Sequence, residues 1–93
     1  NFNGTGVVAI RSSFNVSSIT DNGGGDFTVN FATAMVDADY ASCATVSNEA
    51  TNSAVVLIDS GSPPTETALR ITTRNAANGG VIDPAYVSVS IFR

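Results

Sequence analysis

Side chains able to do acid–base chemistry are few in this 93-residue chain, and the obvious local pair is Asp37 with Asp39. Two carboxylates can serve as general acid and base, as they do in glycosidases. Residues two apart at a bend more often flank a solvated turn, and a domain this small has little room for a catalytic cleft. We therefore interpret the pair as surface residues and assign no catalytic residue.

Nucleophilic catalysis lacks a base, because the sequence contains no histidine and no lysine. Ser–His and Ser–Lys arrangements are excluded on that ground. The single cysteine, Cys43, has no sequence neighbour that would activate a thiolate, so we predict a buried structural thiol. Taken together, these residues predict a protein that is not an enzyme.

Two short segments are similar to ligand-binding loops. Residues 21–26 (DNGGGD) offer oxygen atoms suited to calcium, but match neither the helix–loop–helix pattern nor the glycine-rich nonapeptide repeat. Residues 4–9 (GTGVVA) fit a loose dinucleotide fingerprint, yet β-branched residues follow instead of a helix. We interpret the first segment as a hairpin turn and the second as a turn into a strand, and we predict no metal and no cofactor.

Two tyrosines and two arginines are the candidates for a recognition surface, because aromatic rings stack on pyranose faces and guanidinium groups donate paired hydrogen bonds. They are Tyr40, Tyr86, Arg70 and Arg74. The alternative, which we favour for each residue singly, is that the tyrosines cap the edge of the core and the arginines solubilise an outer face. No ligand-binding residue is assigned from the sequence.

Composition limits the class of protein and its partners. Four arginines against eight acidic residues give a net charge of −4, which is too little positive charge for nucleic acid or anionic membranes. No apolar run approaches the roughly 18–20 residues that span a bilayer. With 43% hydrophobic residues, one cysteine and no histidine, the chain is predicted to be one domain, residues 1–93, with a limited core and neither disulfide nor zinc. Oligomerisation remains as a source of stability.

Apolar residues recur with period two and turn residues interrupt them, which predicts antiparallel β-structure. Seven strands are predicted, at residues 6–11, 14–19, 26–34, 40–47, 54–58, 67–74 and 85–92, with a glycine-rich turn over residues 20–25. In the third strand Phe27, Val29 and Phe31 share the face predicted to lie inward, and in the sixth strand Leu69 and Ile71 are predicted to face inward. The fold class is therefore all-β without helix, a small antiparallel β-sandwich of jelly-roll or immunoglobulin-like topology. Residues 54–58 (AVVLI) are apolar on both faces, so we expect them in the middle of the sandwich or against a neighbouring subunit.

The ends of the sequence suggest its context. The first residue is Asn1 and the sole methionine is Met35, well inside the chain. The last residues, 87–93 (VSVSIFR), form an alternating strand without a polar tail. We expect the C-terminal domain of a longer, fibrous protein.

Several runs resemble a module found at the C-terminal ends of bacteriophage and prophage tail-fibre or related virion proteins. They are residues 6–11 (GVVAIR), 15–23 (NVSSITDNG), 25–31 (GDFTVNF), 34–35 (AM), 37–40 (DADY) and the closing strand 87–93. The resemblance is strong over residues 6–40 and weak over 41–83. Phe27 stands where a tyrosine is usual and Val36 where a proline is usual; neither change removes the ring or the bend.

The resemblance implies a non-enzymatic, trimeric, distal domain of a virion appendage, which functions outside the cell and contributes to attachment at a host receptor. The partners it implies are two identical chains and a host-surface glycan or protein. It implies no particular site residue. The alternative is a bacterial or prophage-encoded carbohydrate-binding or adhesin domain, which would be a monomer with an exposed aromatic platform.

Overall fold

The computed structural model describes residues 1–48 and 53–93, which form eight β-strands and no helix. The strands are β1 (Phe2–Asn3), β2 (Ala9–Ile10), β3 (Val16–Gly23), β4 (Asp26–Phe31), β5 (Ala41–Val46), β6 (Ala54–Ile58), β7 (Ala68–Asn75) and β8 (Val87–Phe92). The predicted all-β class is confirmed.

The strands form two antiparallel sheets of four, which pack face to face. The first sheet has the order β2-β1-β8-β5 and the second the order β3-β4-β7-β6. The second sheet has the A-B-E-D strand order of immunoglobulin constant domains. In the first sheet, the three strands β1-β8-β5 have the G-F-C order of the same domains. The difference is that position G is taken by β1, from the start of the chain. Of the two predicted topologies, the strand order is therefore the immunoglobulin-like one.

The core lies between the sheets and is filled from alternate positions of the central strands. Phe27 and Val29 of β4, with Leu69 and Ile71 of β7, are at most 3% exposed. The ring of Phe2 packs edge-to-face on Phe27, with centroids 5.3 Å apart. Because a strand sends every second side chain to the same face, the predicted inward sets of β4 and β7 are confirmed.

Strand boundaries differ from the prediction in the first third of the chain. Strand β1 has only two residues, too few to show an alternating pattern. Strand β3 continues to Gly23 rather than ending at residue 19, because its ladder with β4 extends to the Gly23–Asp26 pair. Only Gly24 and Gly25 are left as the hairpin loop. Residues 4–8 are the connection of the β1–β2 hairpin. A turn does lead into a strand here, but the strand predicted at residues 6–11 is reduced to Ala9–Ile10.

Gly25 joins this hairpin to the rest of the second sheet. Its φ is +63°, and a Cβ there would lie 2.5 Å from the carbonyl oxygen of Thr73. Its N–H donates to Oδ1 of Asp83 at 2.6 Å and its carbonyl accepts the N–H of Thr73 at 2.8 Å. Only glycine allows both the positive φ and this close approach of two backbone segments.

Strand β6 has the predicted bounds but is not in the middle of the sandwich. It lies at the edge of the second sheet and pairs only with β7. Val55, Leu57 and Ile58 are 38%, 49% and 47% exposed. Of the two positions expected for β6, the middle of the sandwich is therefore wrong, and contact with a neighbouring subunit stays a prediction. A run that is apolar on both faces also arises at the edge of a sheet.

Candidate binding surfaces

Asp37, of the candidate pair Asp37 and Asp39, is engaged in hydrogen bonds to a backbone group and to an arginine. Oδ1 of Asp37 accepts the N–H of Asp39 at 2.9 Å. Both carboxylate oxygens of Asp37 also accept bonds from Nε and Nη2 of Arg93, at 2.9 and 2.6 Å. These bonds, above all those from Arg93, hold the pKa of Asp37 below its ordinary value. The carboxylate therefore stays ionised and joins the last residue to the bend before β5.

The acidic residues of segment 21–26 are also committed to local contacts. Both oxygens of Asp26 accept bonds from Arg70, while Oδ1 of Asp21 accepts the N–H of Gly23 at 3.0 Å. Across residues 1–48 and 53–93, no three His, Cys, Asp or Glu side chains are grouped to hold a metal. The predicted hairpin is present, but its turn is only Gly24 and Gly25, because residues 21–23 belong to β3 and Asp26 to β4.

Cys43 is exposed on the outer face of the first sheet, so the predicted buried thiol is wrong. Its neighbours in β5, Ser42 and Ala44, are the half-buried residues that face the second sheet. Alternation along β5 therefore places Cys43 outward.

The two tyrosines have different environments. Tyr40 is buried, and its hydroxyl bonds the carbonyl oxygens of Thr65 and Ala68, at 3.0 and 3.1 Å. It caps the edge of the core, as the favoured interpretation predicts. Tyr86 is 55% exposed, and the guanidinium carbon of Arg11 lies 4.1 Å from its ring centroid. The tyrosines therefore do not form one aromatic platform.

The two arginines project from the outer face of β7. Arg70 is bonded to Asp26 and, through Nη1, to Oγ of Ser62 at 3.2 Å. Nη1 of Arg74 donates to the carbonyl oxygen of Gly79 at 3.0 Å. Both guanidinium groups therefore connect β7 by hydrogen bonds to neighbouring segments: Arg70 to Asp26 and Ser62, and Arg74 to Gly79.

The outer edge of β6 presents unpaired backbone groups. The bond from Ala76 N to Ser53 O, 2.8 Å long, fixes the alternation of the ladder, so that Val55 and Leu57 bond to β7. The N–H and C=O of Val56 therefore point away from the sheet, and no described residue bonds to them.

Strand β6 also lacks the devices that protect edges from pairing. Strand β3 is broken by two register shifts and β2 is only two residues long, whereas β6 has five apolar residues and a regular register. Charges, prolines and bulges normally protect such an edge from pairing with another chain. Beside it, a cleft of about 300 Å³ opens towards β5 and is lined by Ser42, Ala44, Val56, Leu57, Ile58, Leu69 and Ile71. This β5–β6 side, made of the outer edge of β6 and the cleft towards β5, is the first candidate interaction surface. The sequence does not predict it, because the exposure of β6 depends on the strand order.

A larger cleft of about 620 Å³ opens at the opposite side, where β2 and β3 face each other. Its apolar walls come from both sheets, and Phe14, 95% exposed, stands at its rim. The sequence gives no signal for this cleft, because its presence depends on how far β1 extends along β8.

The described residues define a class of protein: a small β-sandwich with an immunoglobulin-like strand order and a cleft at each of two opposite sides. No protein-family model, curated protein or solved structure was found to match the chain. The described residues include no helix with the length and apolar character needed to cross a membrane.

Proposed function

We propose that this domain is a non-enzymatic structural module of a bacteriophage or prophage tail fibre or related virion protein. It assembles as a homotrimer, acts outside the cell on the virion appendage, and contributes to attachment at a host-surface glycan or protein. The observation that carries the proposal is the apolar, unprotected edge strand β6, which a second copy of the chain would cover. Burial of an edge strand by association stabilises the folded subunit.

A three-fold assembly suits the β5–β6 side. Contacts around a three-fold axis are heterologous, so that two different patches meet. Strand β6 carries large apolar residues, whereas β5 carries mainly small ones, such as Ala41, Ser42 and Ala44. Three copies whose β5–β6 sides face a common axis would bury the larger side chains of one copy against the smaller side chains of the next. The resemblance of residues 6–40 to virion modules supports the same state.

The contacts of two carboxylates, Asp37 and Asp26, support a structural role for these two residues. Asp37 and Asp26 are each held by an arginine through two hydrogen bonds. A carboxylate whose pKa is lowered in this way is unsuited to act as a general acid near neutral pH.

The second candidate is a carbohydrate-binding or adhesin domain of a bacterium or prophage. Tyr86 favours it, because an aromatic ring that is 55% exposed beside Arg11 can stack on a sugar. Arg11 already covers one face of the ring, so only the other face would be open to such a ligand.

Light scattering at several protein concentrations, together with a glycan screen, separates the two candidates. The virion module is expected to have the mass of three chains at every protein concentration. A monomer at every concentration that binds a sugar, with binding lost in Tyr86→Ala, would overturn the trimeric module and establish the carbohydrate-binding domain. The Tyr40→Phe variant is the matched control, since its ring is buried.

A further inference from the structure

Three asparagines in this chain are followed directly by glycine: Asn3, Asn22 and Asn78. In such a pair the backbone nitrogen of the glycine can attack Cγ of the asparagine, because glycine has no side chain to shield that nitrogen. The reaction requires that the glycine N–H release its proton, that Cγ approach the nitrogen, and that the side-chain amide be free to leave. The three pairs differ in how far the fold allows these steps.

At Asn3 the fold prevents all three steps. Gly4 is buried, its N–H donates to the carbonyl oxygen of Pro84 at 2.9 Å, and a Cβ built there would lie 2.9 Å from the ring of Phe27. The side chain of Asn3 bonds both the N–H and the C=O of Thr5, each at 3.1 Å. The nitrogen, Cγ and the amide are therefore all fixed by packing and hydrogen bonds.

Asn22 is exposed, but its amide and the attacking nitrogen are both engaged. Nδ2 of Asn22 donates to Oγ1 of Thr28 at 2.7 Å and to Oδ1 of Asp26 at 3.3 Å. The N–H of Gly23 donates to Oδ1 of Asp21 at 3.0 Å. A carboxylate beside this nitrogen opposes the loss of its proton, because the anion that forms would be repelled.

Asn78 lies in the exposed loop of residues 76–79 that follows β7. Its Nδ2 bonds to no described residue, so the amide is free to leave. The N–H of Gly79 donates to the carbonyl oxygen of Asn75 at 2.8 Å, and this bond within the loop must open. The N–H of Asn75 donates to the carbonyl oxygen of Gly80 at 2.8 Å and closes the hairpin beneath the loop, which can therefore rearrange without opening the sheet.

Two neighbouring groups favour the attack on Asn78. The N–H of Gly80 donates to Oδ1 of Asn78 at 2.8 Å, which turns the side chain back along its own backbone towards Gly79. Negative charge develops on Oδ1 when Cγ is attacked, so this N–H stabilises it as an oxyanion-hole donor does. Nη1 of Arg74 donates to the carbonyl oxygen of Gly79 at 3.0 Å, which brings a positive charge to the residue whose nitrogen becomes an anion.

We propose that Asn78 is a site of spontaneous deamidation, at which water replaces the side-chain amide by a carboxylate. The nitrogen of Gly79 forms a bond to Cγ, the bond from Cγ to Nδ2 breaks, and the amide leaves as ammonia with the proton of the Gly79 N–H. One water molecule then opens the succinimide ring at either carbonyl and gives aspartate or isoaspartate. No oxidant or reductant takes part.

The modification changes the charge of the loop. Each event adds one negative charge, beside the guanidinium of Arg74, to a chain whose net charge is −4. The isoaspartate product also lengthens the backbone of the loop by one methylene group. This inference does not depend on the proposed function.

Tryptic peptide mapping separates the three sites, since the chain has no lysine and its arginines are Arg11, Arg70, Arg74 and Arg93. Asn3, Asn22 and Asn78 therefore lie on different peptides, 1–11, 12–70 and 75–93. The folded protein is incubated in mildly alkaline water enriched in heavy oxygen and is then digested in ordinary water, so that only sites that react during the incubation carry the label. We expect at least about tenfold more label at residue 78 than at residue 22 or residue 3.

The unfolded chain and a ring-size variant are the controls. In urea the three Asn-Gly pairs lose their different surroundings and are expected to react within about threefold of one another. Asn78→Gln would have to close a six-membered ring and is expected to leave peptide 75–93 unlabelled. Equal labelling of the three sites in the folded protein, or label on that peptide in Asn78→Gln, would overturn the proposal.

Arg74 is tested by its charge. Arg74→Gln is expected to slow the deamidation of Asn78 at least about threefold, whereas Arg70→Gln, on the same face of β7, is expected to leave the rate within about twofold. High salt should slow the wild-type reaction towards the rate of Arg74→Gln, because screening weakens the attraction between the guanidinium and the anion. Equal rates in wild type and Arg74→Gln, or a wild-type rate that salt does not change, would overturn the role assigned to Arg74.

Discussion

The carboxylate of Asp26 and the guanidinium of Arg70 form a two-bond ion pair between neighbouring strands, although 44 positions separate them in the sequence. Nε of Arg70 lies 2.9 Å from Oδ1 and Nη2 lies 2.6 Å from Oδ2 of Asp26. Nδ2 of Asn22 adds a longer bond of 3.3 Å to the same carboxylate. The pair thus ties the β3–β4 hairpin to the middle of β7.

This pair predicts an acid-sensitive contribution to stability. The hydrogen bonds from Arg70 are the main reason that the pKa of Asp26 is below its ordinary value of 3.8. A lowered pKa contributes stability that is fully present above the unfolded-state value and is lost as the pH falls below it. Asp26→Asn is therefore expected to lower Tm by a few degrees at pH 7 and to have less effect as the pH approaches 2. Thermal unfolding from pH 7 to pH 2 measures the difference.

The Arg70→Gln background is the control for that measurement. There, Asp26→Asn should cost clearly less at pH 7, because the guanidinium is already absent. An equal cost in both backgrounds would mean that the ion pair does not stabilise the fold.

Gly25→Ala is expected to destabilise the domain more than Gly6→Ala. Both glycines have a φ of +63°, but no atom lies within 4 Å of a Cβ built at Gly6, whereas at Gly25 it meets the carbonyl oxygen of Thr73 at 2.5 Å. The positive φ alone costs about 1–2 kcal/mol, and the clash adds about 1–3 kcal/mol. Urea unfolding of the two variants checks this; similar values would show that Gly25 is needed only for its φ.

Asn15 is expected to tolerate glycine better than alanine. Its φ is +56°, and its side chain bonds both the N–H and the C=O of Thr33, at 2.7 and 3.0 Å. Both substitutions lose these bonds, but only Asn15→Ala adds the cost of a left-handed alanine. Asn15→Ala should therefore be about 1 kcal/mol less stable than Asn15→Gly in urea unfolding. The reverse order would contradict the left-handed conformation.

Tyr40→Phe is expected to lower stability by about 1 kcal/mol at neutral pH, because its hydroxyl bonds two carbonyl groups beside the start of β7. Burial raises the pKa of Tyr40 above 10.0. A raised pKa gives stability that is present below the unfolded-state value and lost as the pH rises above it. The difference between wild type and variant should shrink above about pH 10. Unfolding at pH 7 and pH 11 measures it, and a constant difference would show that the hydroxyl does not stay protonated in the fold.

Alternation was the reliable sequence signal in this chain. Phe27, Val29, Leu69 and Ile71 are buried as predicted, because period-two spacing determines the face of a strand from local sequence alone. The bounds of β6 also follow from its unbroken apolar run between polar segments. These features need no knowledge of which strands are neighbours.

The remaining features depend on contacts between distant segments. The edge position of β6 follows from the strand order, and the exposure of Cys43 follows from which face of β5 turns inward. The length of β3 depends on where its ladder with β4 stops, which the turn-forming residues Asp21, Asn22 and Gly23 at its end do not show. Both candidate binding surfaces also depend on contacts between distant segments, because an edge is unpaired only where the strand order places no neighbouring strand beside it.

The central claim is that β6 holds identical chains together, and the solution mass of Leu57→Lys beside wild type tests it most directly. A lysine on an exposed edge opposes strand pairing. Val7→Lys is the matched control, because Val7 is 89% exposed in the β1–β2 connection. We predict that light scattering gives three chains for wild type and Val7→Lys and one folded chain for Leu57→Lys. A monomeric wild type, or a Leu57→Lys variant that remains trimeric, would contradict the account.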